Sequence, residues 1–97
     1  MSFKLLPPAK RELKEAARFY EGRVPGLGHE LIAEVRATLR RIQAHPQAWH
    51  PLDKEIRRCR TNRFPYGIIY SVENEEIVVI SVMHLRRHPD SWRKNLE

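Results

Sequence analysis

Ninety-seven residues carrying a net charge of +6 and a pI near 10.0 make one small domain with a modest core. The single cysteine, Cys59, excludes an internal disulfide and any cysteine-based metal site, and it suits a reducing compartment. No run approaches the ~18 apolar residues of a membrane span, and no signal-peptide pattern opens the chain, so a cytoplasmic protein without a membrane partner is expected.

In chain order, "SFKLL" (2–6) reads as a short strand that Pro7-Pro8 stops. A first helix is expected from about Pro8, because proline is well tolerated in a first helical turn. Ala9, Leu13, Ala16, Ala17 and Tyr20 form its apolar stripe. The composition of "EGRVPGLG" (21–28) predicts a turn. A second helix, striped by Leu31, Ile32, Val35, Leu39 and Ile42, then runs to about Ala44, where His45-Pro46 ends it. The two make an antiparallel helical hairpin.

"QAWHPLDKE" (47–55) is expected to be a loop, with His45 and His50 in structural roles. Beyond it the apolar period changes from 3.6 to 2. "IRRCRTN" (56–62), "YGIIYSV" (66–72) and "EIVVISVMHL" (76–85) read as three strands joined by connections short enough for antiparallel pairing. Simple alternation sorts the last strand into Ile77, Val79 and Met83 on one face and Val78, Ile80 and Val82 on the other. A strand apolar on both faces belongs inside a sheet covered on both sides. One helical hairpin covers one face, so the C-terminal segment, a partner or a substrate must cover the other.

Charge is unevenly spread. Through the helices, Lys and Arg alternate with Glu12, Glu15, Glu21, Glu30 and Glu34, the pattern of a solvated, charge-mixed surface. From Arg57 to Ser71 there are four arginines and no acid, and His84–Lys94 adds three arginines, a lysine and two histidines against Asp90 alone. Strand alternation puts Arg58 and Arg60 on one face and Cys59 on the other, and cysteine is typically buried. The arginines are therefore expected on the face away from the helices. Simple alternation also delivers His84 and Arg86 to that face, where the four would form one cationic surface. Planar guanidinium forks suit phosphates, and histidine suits proton transfer near neutral pH. The competing reading is a charged edge strand that only blocks unwanted pairing. No metal-ligand spacing, phosphate-binding glycine loop or nucleophile motif is present, so no cofactor or metal is expected.

"YEGRVPGLG" at the helix turn and "RFPYGIIYSVENEEIVVISVMHLRRHP" near the end resemble the RelE/ParE toxin superfamily over about Phe3 to Trp92. The resemblance implies a single α+β domain of order β-α-α-β-β-β over 1–97, a helical hairpin packed on a small antiparallel sheet, with a short C-terminal helical segment. It implies a toxin of a bacterial type II toxin–antitoxin module, of the kind often called plasmid stabilization proteins. Such a toxin arrests growth and is neutralised by a cognate antitoxin, for which an acidic, partly disordered segment would complement the positive charge.

Its relatives divide between ParE-like inhibitors of DNA gyrase and RelE-like, metal-independent endoribonucleases that cut mRNA on the ribosome. Under the second reading Arg58, Arg60 and Arg86 match basic positions of RelE, with His84 or His88 for proton transfer. Arg58, Arg60, His84 and Arg86 would then be the catalytic set, and Arg63, Arg87, His88 and Trp92 would bind the target. Gly67 and Trp92 depart from RelE, which has an arginine and a tyrosine at these positions. An indole cannot exchange a proton. The ParE-like reading is therefore favoured, beside the ribonuclease and a third possibility, a module that has lost toxicity and only binds its antitoxin.

Overall fold

A computed structural model describes residues 1–97. Along the chain, β1 (Ser2–Leu5) leads into α1 (Pro7–Arg23) and α2 (Leu27–Ala44). Then come β2 (His50–Asp53), β3 (Ile56–Arg60), β4 (Tyr66–Glu73), β5 (Glu76–His84) and a 3₁₀ helix, Ser91–Leu96. One five-stranded sheet has the order β1-β5-β4-β3-β2. Its neighbours are antiparallel except β1, which runs parallel to β5.

The helical hairpin, the strand meander and the C-terminal helical segment are as the sequence suggests. Two features are not. The sheet is mixed rather than wholly antiparallel, and part of the expected loop 47–55 forms β2. Pro51 disguises that strand, because proline breaks a ladder hydrogen bond. It is accommodated because β2 lies at the sheet edge, with a register irregularity between Pro51 and Asp53.

The helix turn is tighter than its composition implies, since both helices run into "EGRVPGLG" and leave only Val24–Gly26 between them. Gly26 has φ of 90°, a left-handed conformation that suits glycine. The Glu21 carboxylate reaches forward from α1 and accepts the backbone N–H groups of Gly26 at 2.7 Å and Gly28 at 3.0 Å. These amides at the start of α2 have no partner within the helix. Their hydrogen bonds, the one from Gly26 foremost, hold the Glu21 carboxyl below the ordinary glutamate range. Gly28 lies where the helices cross: a Cβ there would sit 2.5 Å from the Ala17 carbonyl oxygen.

The helices cover one side of the sheet. Leu31, Val35, Leu39 and Ile42 meet Ile68, Tyr70, Ile77, Val79 and Val82 there. The Tyr70 hydroxyl donates to the Pro46 carbonyl at 2.6 Å, tying the end of α2 to β4, and burial pushes its pKa up to about 12. The far side holds a smaller cluster, Ile69, Ile80, Met83 and Trp92, flanked by Leu6, Leu52 and Ile56. Trp92, from the 3₁₀ helix, is 1% exposed. The cover that the far face required is thus supplied in part by the chain's own C-terminal segment.

Candidate functional site

The geometry of the site turns on one irregularity in β5. Register runs regularly from Tyr66↔His84 to Ile69↔Ser81, then resumes at Tyr70↔Val79, which leaves Ile80 as an extra residue. Side chains alternate faces along a strand, so one extra residue reverses every assignment beyond it. Met83 therefore joins Ile80 on the far side, and Val82 joins Ile77 and Val79 under the helices. This reverses the sequence assignment for both residues.

The bulge falls where β5 loses an outer neighbour. β1 pairs only as far as Leu5↔Val79, with Leu6 donating once more to the Val79 carbonyl. Side chains satisfy the backbone groups beyond. Asn95 Nδ2 donates to the Ile80 carbonyl at 3.0 Å, and Glu12 Oε1 accepts the Val82 N–H at 3.0 Å. Glu12 also accepts from Ser81 Oγ, Asn95 Nδ2 and Arg87, so it fastens α1, β5 and the C-terminal segment together.

The far side carries Arg58 and Arg60, as expected from the burial of Cys59 opposite them. Burial pushes the Cys59 thiol above its ordinary pKa. The two arginines stand two residues apart on one strand face, ~7 Å along it. Neither guanidinium has a hydrogen-bond or ion-pair partner in the chain, and Arg86, exposed beyond β5, is likewise unpaired. Gly67, the register partner of Arg60, makes room for its neighbour. A Cβ at position 67 would lie 2.9 Å from Arg58 Cδ and 3.4 Å from Leu85 Cδ2. The aliphatic stem of Arg58 therefore crosses the bare backbone of Gly67.

His84 does not join this surface. Its register partner is Tyr66, and the two rings pack edge to face at 5.1 Å on the helix side. It lines a shallow groove there with Glu15, Phe19, Tyr66 and Arg87. Burial, reinforced by Tyr20, raises the Tyr66 pKa to about 12, so the phenol beside His84 stays protonated at neutral pH. The imidazole that does flank the arginines is His50, the register partner of Arg58. Sequence reasoning passed over it because Pro51 hid the strand that carries it.

The remaining expected binding residues are dispersed. Arg63 is engaged by Glu30, with its backbone N–H on Glu34. Arg87 pairs with Glu12 at 3.2 Å, on the helix side. His88 is exposed and its Nδ1 accepts the Asp90 N–H at 3.1 Å, while Trp92 is buried. Arg93 stacks over the Trp92 ring at 4.5 Å and bridges Asp90 and Asp53, locking the C-terminal segment to β2. No group of three or more His, Cys, Asp or Glu stands together to hold a metal ion.

A hairpin of helices on a five-stranded sheet is the arrangement that the resemblance to the RelE/ParE superfamily implies. The family described as ParE toxin of type II toxin-antitoxin system, parDE, matches residues 3–89. The chain belongs to this ParE toxin family. The fold is similar to that of a chain from "Chromosomal ParDE TA system from P. aeruginosa". That match has a TM-score of 0.77 at 18% identity and covers 89% of this chain and 97% of the other. A comparison with curated proteins gives no match. No helix is long and apolar enough to cross a membrane.

Proposed function

We propose that this ParE-family toxin arrests bacterial growth in the cytoplasm by binding DNA gyrase, not by cutting RNA, and that a cognate antitoxin neutralises it. Membership of a toxin–antitoxin family implies the antitoxin partner. The observation that supports inhibition over cleavage is the separation of His84 from Arg58 and Arg60. Cleavage by a ribose hydroxyl needs an acid or base within hydrogen-bond reach of the reacting atoms, together with cations where charge develops. Here the bulge puts that histidine under the helices, and Trp92, which cannot exchange a proton, is buried. Of the expected catalytic set, what remains on the far face is the unpaired guanidiniums of Arg58 and Arg60, suited to gripping acidic groups on a target.

A second reading has one specific observation in its favour. His50 stands across from Arg58 and is exposed, so the far face does hold an imidazole beside two arginines. A ribosome-dependent ribonuclease would use that pair. Induction of the toxin with parallel readouts separates the two. Stalled gyrase cleavage complexes with intact transcripts are expected. Codon-phased cuts in mRNA that disappear in a His50→Ala variant would replace gyrase inhibition with the nuclease. Undisturbed growth would mark a module that retains only antitoxin binding.

A further inference from the structure

The helical half of the sequence reads as charge-mixed, yet folding sorts its charges unequally. Of the five acids on α1 and α2, four are engaged within the chain. Glu12 holds β5 and Arg87, Glu21 caps the start of α2, and Glu30 and Glu34 anchor the Arg63 segment. Glu15 alone has no partner. Lys10, Arg11, Lys14 and Arg18 on α1, with Arg36 and Arg40 on α2, are all exposed and make no hydrogen bond or ion pair. At 3.6 residues per turn, the four cations of α1 fall within about a 100° arc, opposite the buried stripe of Ala9 and Ala16. Lys10, Lys14 and Arg18 follow one another at one-turn steps of ~6 Å. Antiparallel packing, with Gly28 against Ala17, brings Arg36 of α2 level with the start of this row.

We propose that this outer face of the helical hairpin is a docking surface for the phosphate backbone of double-stranded nucleic acid, separate from the arginines beyond the sheet. The reasoning is electrostatic and steric. Six cations without internal partners break no ion pair when they meet a row of phosphates, and the helix backbone beneath them is already ordered. The release of condensed counterions by each contact opposes the cost of fixing the side chains. The arc holds no aromatic side chain: Phe19 lies outside it, and Tyr20 packs on Phe64. Single strands are gripped by stacking bases on aromatics, so a bare cationic face favours a duplex bound through its backbone without sequence preference. The proposal does not depend on the toxin's target.

The test uses the full chain and a labelled ~20-bp duplex, with affinity read by fluorescence anisotropy across salt concentrations. Up to six phosphate contacts predict a log–log slope near −5 and a roughly thousandfold loss of affinity between 50 and 200 mM salt. The variant Lys10→Ala/Lys14→Ala/Arg18→Ala/Arg36→Ala should flatten the slope by about 3 to 4 and leave the melting temperature close to that of the parent. Lys14→Arg should keep the parent slope. An unchanged slope in the fourfold variant would overturn the proposal. So would tighter binding of a single strand of equal length, or capture by phosphatidylserine vesicles without affinity for the duplex.

Discussion

The two faces of the sheet are built on different terms. Under the helices, fourteen buried residues from every long element share one cluster. Beyond the sheet only four do, and one of them, Trp92, comes from a six-residue 3₁₀ helix at the chain end. A large core distributes its stabilisation, whereas a small one hangs on its largest side chain. The same contrast governs charge. On the helix side acids cap backbone groups, while on the far side the stem of Arg58 lies across the backbone that Gly67 leaves bare.

Removing the largest residue of the small cluster tests this contrast most severely. Trp92→Ala should cost about 3–5 kcal/mol, the range for a buried aromatic truncated to alanine. The loss should begin at the C-terminal segment, with faster amide exchange along the 80–84 stretch of β5 than in α2. Uniform exchange throughout the molecule would show that the far cluster is not a separate unit.

The two glycines give a paired comparison of smaller effects. Gly28→Ala drives a methyl into the Ala17 carbonyl, which is backbone and yields only if the helices move apart. A loss of about 1–3 kcal/mol in denaturant unfolding is expected, of the size found for overpacking. Gly67→Ala meets the flexible stem of Arg58 instead. Its stability should stay within about 0.5–1 kcal/mol of the parent, while the side chain of Arg58 shifts and toxicity falls. Equal destabilisation by the two substitutions would erase the distinction between backbone and side-chain obstruction.

Glu21 gives the smallest effect and a signed one. Its carboxyl titrates below the ordinary glutamate value because it accepts backbone N–H bonds in the fold, that of Gly26 foremost. A depressed folded-state pKa means stability present above the unfolded value and lost as pH falls through the folded one. Glu21→Gln should therefore be less stable than the parent at neutral pH, and the gap should narrow below about pH 4. A gap independent of pH would mean that the carboxylate charge does not matter at this cap.

Much of this molecule is legible from residues. The stripes at Leu31, Val35, Leu39 and Ile42, the period-2 runs from Ile56 onward, and the burial of Cys59 fix the helices, three strands and the side on which Arg58 and Arg60 stand. These are local properties, set by which side chains water rejects and by the backbone periods of helix and strand. Other features depend on neighbours. Ile80 becomes an extra residue where β1 ends and where Asn95 and Glu12 are at hand to satisfy the edge, and nothing in "EIVVISVMHL" marks it. That one residue moves His84 across the sheet and leaves His50, on a strand hidden by Pro51, beside Arg58. Likewise the sequence counts five acids on the helices, but only the tertiary structure consumes four of them and leaves the cations free. Composition determined how much positive charge the protein carries. Long-range hydrogen bonding decided where it is available.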